Sequence, residues 1–202
     1  MVIPSNARLI WDWFKEKTNI PDFGIAALMG NFQAESGLES VRKQGDFTKD
    51  RAPSKTYAAK ADAGDLSDFC AGKIGWGLAQ WTFDTRCKDL YNFAKSKGKS
   101  VGDLETQLEF CWTELTNDFS NVLYTLRTAA SVRIASDKVL HVYENPRDQG
   151  ERVQKERAEF AQNFYDAFHV EKAQEDSTAN ILARLDKITE ELEAIKKDIK
   201  NR

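Results

Sequence analysis

Residues 28–38 read Leu-Met-Gly-Asn-Phe-Gln-Ala-Glu-Ser-Gly-Leu, and the fold turns on how this stretch ends. Ahead of it, Pro21 and Asp22 open a helix, since proline and an acidic residue suit the first turn. Phe23, Ile25, Ala26, Ala27, Leu28, Met29 and Phe32 then point in nearly every direction, which predicts a helix buried on most sides. Ser36-Gly37 stop it. Just before the stop stands Glu35, a single carboxyl group at the end of an otherwise apolar helix. Apolar walls and a helix C-terminus both disfavour a charged carboxylate, and a carboxyl group that keeps its proton is what general acid catalysis requires. The alternative is a Glu35 paired with an Arg or Lys, because buried charges find partners.

Working outward, Leu9, Ile10, Trp13 and Phe14 recur at helical spacing over 6–17, with Ser5 or Asn6 as N-cap. Residues 39–73 lose that period and gather Gly, Asp, Ser and Lys, which predicts a long irregular region with a short hairpin. Such loops are often functional. Helical patterns return at 84–96, 103–116, 121–129, 135–143 and 149–168, punctuated by Gly98, Gly102 and Pro146. The expected fold class is α+β and predominantly helical, with one domain over 1–170.

Residues 171–177 are polar and read as a linker. From 178 to 202 the period changes: Ile181, Leu185, Ile188, Leu192, Ile195 and Ile199 are spaced 4, 3, 4, 3, 4, a heptad seam. Leucine at a and isoleucine at d favour bundles of more than two strands, so the expected partner is the chain itself, as a tetramer. Leu182 at e widens the seam, and Glu191 can meet Lys196 of a neighbouring strand.

The 202 residues carry 29 Lys plus Arg against 32 Asp plus Glu, a net charge of -3, which gives no basic field for nucleic acid. No apolar run approaches the ~20 residues of a bilayer span, so no membrane insertion is expected. The N-terminal residues lack a signal-peptide pattern, which predicts synthesis in the cytoplasm. Cys70, Cys87 and Cys111 lack metal-ligand spacing and read as reduced, packed thiols. With His141 and His169 the only histidines, neither a zinc site nor a thiol–imidazole pair is expected, and no cofactor is called for.

The segment Gly-Trp-Gly-Leu-Ala-Gln-Trp-Thr at 75–82 is a glycine-rich aromatic turn. Trp76 and Trp81 have flat faces on which sugar rings can pack, Gly77 lets backbone approach a ligand, and Gln80 carries amide donors and an acceptor. A proton donor beside such a wall is the minimum equipment for breaking a glycosidic bond, whose oxygen leaves poorly until protonated. A second carboxylate would activate water or stabilise the sugar cation. The nearest candidates are Asp46 and Asp50, with Asp62, Asp65 and Asp68 farther along.

NFQAESGLES at 31–40, followed by GWGLAQWT and Arg86, resembles the phage lysozyme group of endolysins and tail-associated lysins, within the lysozyme-like superfamily. The resemblance runs over about 6–168 and takes in TQLEFCWTEL at 106–115 and VYENPRD at 142–148. It implies a muramidase that cleaves the β-1,4 bond between N-acetylmuramic acid and N-acetylglucosamine in peptidoglycan glycan strands, with Glu35 as general acid. Gly77, Gln80 and Trp81 would line the glycan cleft. It further implies action on the cell wall, after release from the host cytoplasm or from the virion. A lytic transglycosylase, in which a sugar hydroxyl closes an anhydro ring, and a non-catalytic wall-binding phage structural protein are the alternatives.

Overall fold

The computed structural model describes residues 2–200 apart from Cys70 and Gly72; the side chains of Phe83, Asp84, Glu191 and residues 170–177, 179 and 193–200 lie outside the described set. Two units separate by their internal contacts, Met1–Tyr165 and Asp166–Arg202. Helices α1 (Ala7–Lys17), α2 (Asp22–Ser36), α3 (Ala52–Asp62), α4 (Lys88–Ser96), α5 (Leu104–Asn117), α6 (Ser120–Thr128), α7 (Val132–Lys138) and α8 (Glu151–Lys200) follow in order. A π-helical turn at Phe83–Cys87 runs into α4, and a second, Val139–Glu144, continues α7.

The first unit is assembled around α2, as its all-round apolar sequence requires. Residues 24–32 are all buried, and α1, α6, α7 and the second π-helical turn pack on them. Gly37 ends the helix in the left-handed region (φ 71°), its N–H reaching the Gln33 carbonyl at 3.0 Å. Asn6 stands at the N-cap of α1 without a side-chain capping bond. Its amide instead donates to the Leu38 carbonyl at 3.0 Å, which pins the turn that follows Glu35.

Gly30 sets how close α8 comes. A Cβ there would lie 2.6 Å from the Ala161 Cβ and from the Arg157 carbonyl oxygen, so the two backbones touch. That approach carries Arg157 onto the C-terminal half of α2.

The helical part of the expected class is found and the β part is not. Among the described residues, strand pairing is confined to two isolated antiparallel bridges, Lys43 with Trp76 and Trp76 with Trp81. Where an irregular region was expected, α3 forms. Its buried Ser54, Tyr57, Ala58 and Ala61 keep helical spacing, but three of the four are too small to register as an apolar stripe. Cys87 is also corrected: it is disulfide-bonded rather than a free thiol. Cys111 is free and buried, as expected, while Cys70 lies outside the described residues.

In the second unit the helix continues without a break through 171–177, the stretch read as a linker. Beyond it Ile181, Leu182, Leu185, Ile188 and Leu192 are each at least 52% exposed. The side chains of Ile195 and Ile199, the remaining seam positions, lie outside the described ones.

The close approach at Gly30 is testable. Gly30→Ala should destabilise the protein by about 1–3 kcal/mol, because the added methyl meets backbone rather than a flexible side chain. A urea midpoint that falls at unchanged slope is the expected result; an unmoved midpoint would contradict the contact.

Candidate active site

The site begins with the turn at 76–81. Trp76 and Trp81 exchange backbone hydrogen bonds of 3.1 and 3.0 Å, closing the loop between them. Gly77 takes φ 75°, and a Cβ on it would lie 2.5 Å from the Gln107 amide oxygen. That oxygen accepts from the Leu78 N–H at 2.9 Å, while the amide nitrogen donates to the Ser40 and Val101 carbonyls. Glycine is needed here both for the left-handed backbone and for the amide that fills the space.

Below the turn lies Glu114, 4% exposed. Its Oε2 accepts from the Trp81 indole N–H (2.8 Å), the Tyr143 hydroxyl (2.6 Å) and an Arg86 N–H (2.9 Å), and Oε1 accepts from Arg86 Nε (2.6 Å). Arg86 comes from the first π-helical turn and Tyr143 from the second. Arg86 also donates to the Tyr143 carbonyl at 3.0 Å and lies over the Tyr143 ring at 4.6 Å. Burial works against the Arg86 charge, but the Glu114 hydrogen bonds and surrounding negative charge outweigh it and keep the guanidinium protonated. Extra residues inserted into a helix as π-turns are frequent at functional sites. Here one carboxylate ties two of them together.

The second π-helical turn ends at Glu144, and Asn145 takes a left-handed conformation (φ 45°) to leave it. Glu144 thereby lines a cleft of about 390 Å³ with Glu35, Gln44, Ala79, Gln80, Thr82, Pro146 and the exposed Lys73 and Arg147. Glu35 is not the unpaired group expected from its apolar helix. Arg157, 6% exposed, donates to its Oε1 at 2.5 Å and to the fully buried Asn31 Oδ1 at 3.1 Å. Glu144 is the contrasting carboxyl: its Oε1 is buried and has no hydrogen-bond partner among the described residues. Burial first, then the charge of Glu35, push the Glu144 carboxyl well above the usual range, with Arg86 and Arg157 pulling the other way.

The other expected site residues are placed differently. Asp46 does not line this cleft. It is buried and accepts from Ser54 N–H and Oγ (3.0 and 2.5 Å) and from Thr48 N–H and Oγ (3.0 and 2.6 Å). The Ser54 and Thr48 hydrogen bonds hold it below the usual carboxylate range, as the organiser of the loop entering α3. Asp50 is exposed, outside the cleft lining, and accepts from the Ala52 N–H at 3.2 Å.

Trp76 and Trp81, expected to offer faces to a sugar ring, are fully buried and their indole N–H groups are bonded inward. Only Gln80 of the turn's named residues lines the cleft. Its amide nitrogen donates to the Arg42 and Gly77 carbonyls (3.1 and 2.9 Å), leaving its oxygen for a ligand.

Sequence reasoning missed Glu144 and Arg157. The signal at Glu144 was the helix stop Asn145-Pro146, which puts a carboxyl at a helix end just as Gly37 does for Glu35. Arg157 gave none, being one charge among many on a polar helix. Among the described residues no cluster of His, Cys, Asp or Glu could hold a metal ion, and no helix is long and apolar enough to cross a membrane. Buried Cys111, its thiol pushed up by burial, and exposed His141 form no catalytic pair.

Residues 5–168 match the family model described as phage tail lysozyme. No curated protein matches the chain.

Proposed function

The chain belongs to the phage tail lysozyme family, and from that premise we propose that it hydrolyses the β-1,4 bond between N-acetylmuramic acid and N-acetylglucosamine in bacterial peptidoglycan, with Glu35 delivering the proton to the glycosidic oxygen. The observation that carries this reading is that Glu35 lines an open cleft beside a second carboxyl, Glu144, and the Gln80 edge of the turn. Glycosidic cleavage needs a proton at the leaving oxygen and negative charge near the sugar carbon, which a pair of carboxyl groups supplies. A protein that merely held glycan would have no use for two carboxyls crowded into one partly buried cleft, which speaks against the wall-binding alternative. The family's description favours a virion-borne enzyme over one released at host lysis.

Glu35→Gln keeps the shape of the side chain and cannot give up a proton. On isolated cell walls its rate should fall by about 10² to 10⁴, the usual contribution of acid–base catalysis. A variant that clears walls at more than a tenth of the parent rate would exclude Glu35 as the acid.

The organisation 1–170, 171–177 and 178–202 belongs to the same proposal, with the last segment assembling the chain as a tetramer. Supporting it are the exposed Ile181, Leu185, Ile188 and Leu192 at heptad spacing, an apolar seam left open to water. Gathering catalytic domains would raise their effective concentration on a polymeric wall. Light scattering at micromolar concentration should return about four times the 22.9 kDa chain mass, falling to one chain when Leu185 and Leu192 are replaced by Asp. A full chain that scatters as a monomer would rule the assembly out.

A further inference from the structure

The cleft that holds Glu35 and Glu144 has no aromatic side chain in its lining, and both tryptophans of the 76–81 turn are buried. One aromatic ring near it in the chain faces water. Phe47, on the loop between α2 and α3, is 84% exposed, more than any other aromatic side chain among the described residues. Single exposed apolar side chains are ordinary on a protein surface. Phe47 differs in how it is held. Ahead of it, the Arg42 carbonyl accepts from the Gly77 N–H (2.9 Å) and the Gln80 amide (3.1 Å). The Gln44 N–H donates to the Gly75 carbonyl, and the Gln44 Oε1 accepts from the Gly75 N–H, both at 2.9 Å. Gln44 and Gln80 both line the cleft. The residues on either side of Phe47 are tied down as well. The Asp46 carboxylate takes the N–H and hydroxyl of Thr48 and of Ser54, and Arg51 donates to the Asp46 and Thr48 carbonyls.

The Arg42 guanidinium lies over the Phe47 ring, 5.6 Å from its centre. A cation drawn to one face of the ring orients it and leaves the opposite face to water. Three residues separate Phe47 from Gln44, so its Cα is at most about 11 Å from that of a cleft residue. A glycan strand seated in the cleft covers such a distance within a few sugar rings. The open face suits a pyranose. A β-1,4-linked glucosamine-type ring carries its hydroxyl, acetamido and glycosidic groups around its edge and C–H groups on its faces. Those hydrogens are slightly positive, and the face of an aromatic ring is negative.

We propose that Phe47 is a sugar-binding platform beside the cleft: one pyranose ring of the glycan strand, remote from the bond that breaks, stacks on the face of Phe47 that Arg42 leaves open. This rests on the reading of the cleft as a glycan-cleaving site. Arg42 and Asp46 are positioning residues here, the first orienting the ring and the second holding the loop that presents it. A contact remote from the reacting carbon is made equally in the bound substrate and in the transition state, so it shows in KM and leaves kcat alone.

The test measures cleavage of soluble, uncrosslinked peptidoglycan strands by the full chain, by Phe47→Leu, which keeps an apolar side chain without an aromatic face, and by Phe47→Trp, which enlarges that face. Because the ring is exposed, both variants should unfold at the parent's urea midpoint. Phe47→Leu should raise KM about fivefold or more, with kcat within about twofold of the parent. Phe47→Trp should keep the parent's KM or lower it. Combined with Glu35→Gln, which stops cleavage, Phe47→Trp also supplies a reporter indole. Its emission should shift to the blue when a soluble N-acetylglucosamine oligosaccharide is added, beyond any change in Glu35→Gln alone. A parent-like KM for Phe47→Leu, a loss confined to kcat, or an added indole that the oligosaccharide leaves unchanged overturns the proposal and leaves the glycan-cleaving reading intact. A parent that releases no new glycan ends overturns both.

Discussion

Everything in the site depends on Glu114. One buried carboxylate receives the indole of Trp81, the hydroxyl of Tyr143 and two N–H groups of Arg86, so the Gly77 turn, both π-helical turns and α5 meet at a single pair of oxygens. A buried ion pair is weak evidence for stability, since desolvation offsets most of its attraction, but removing one partner costs on the order of 3–5 kcal/mol. Its value here is geometric. Arg86 reaches past Glu114 to the Tyr143 carbonyl, and the residue after Tyr143 is Glu144. With the second π-helical turn held there, a carboxyl group must stand in the cleft.

The same hub explains the electrostatics of the cleft. Glu114 and the Tyr143 carbonyl take three of the five Arg86 N–H groups, so the guanidinium is held over the second π-helical turn rather than in the cleft. Arg157 is delivered to Glu35 by the glycine-mediated contact of α2 with α8 and is fixed by Asn31, whose own amide donates to the Ala27 and Ser136 carbonyls. The Arg157 Nε–H and the Glu144 Oε1 are both buried and have no partner among the described residues. Packing thus leaves Glu144 in the same cleft as Glu35.

Much of this was legible in the sequence, and the rest was hidden for physical reasons. The all-round apolar pattern at 23–32 and the stop at Gly37 placed α2 and left Glu35 at its end, because both are local signals. The tryptophans misled. A Gly-Trp-Gly turn looks like an exposed wall until Glu114, 33 residues on, draws the Trp81 indole inward. Asp46 misled in the same way, its four hydrogen bonds coming from residues within eight positions that make it a loop organiser. The helix α3 was missed because its buried face is mostly alanine and serine. Glu144 carried only the local signal of the stop at Asn145-Pro146, and Arg157 was invisible because its meaning comes from a pairing with Glu35, 122 residues away. No window of sequence contains that distance.

On the reading proposed above, this cleft breaks glycan strands by adding water at the muramic sugar. Mass spectrometry of the fragments that the full-length protein releases from isolated cell walls tests it most directly. Hydrolysis leaves new reducing N-acetylmuramic acid ends, and these are expected. Walls whose only new ends are anhydro sugars would replace water by the sugar's own hydroxyl, and walls with no new glycan ends would contradict the claim outright.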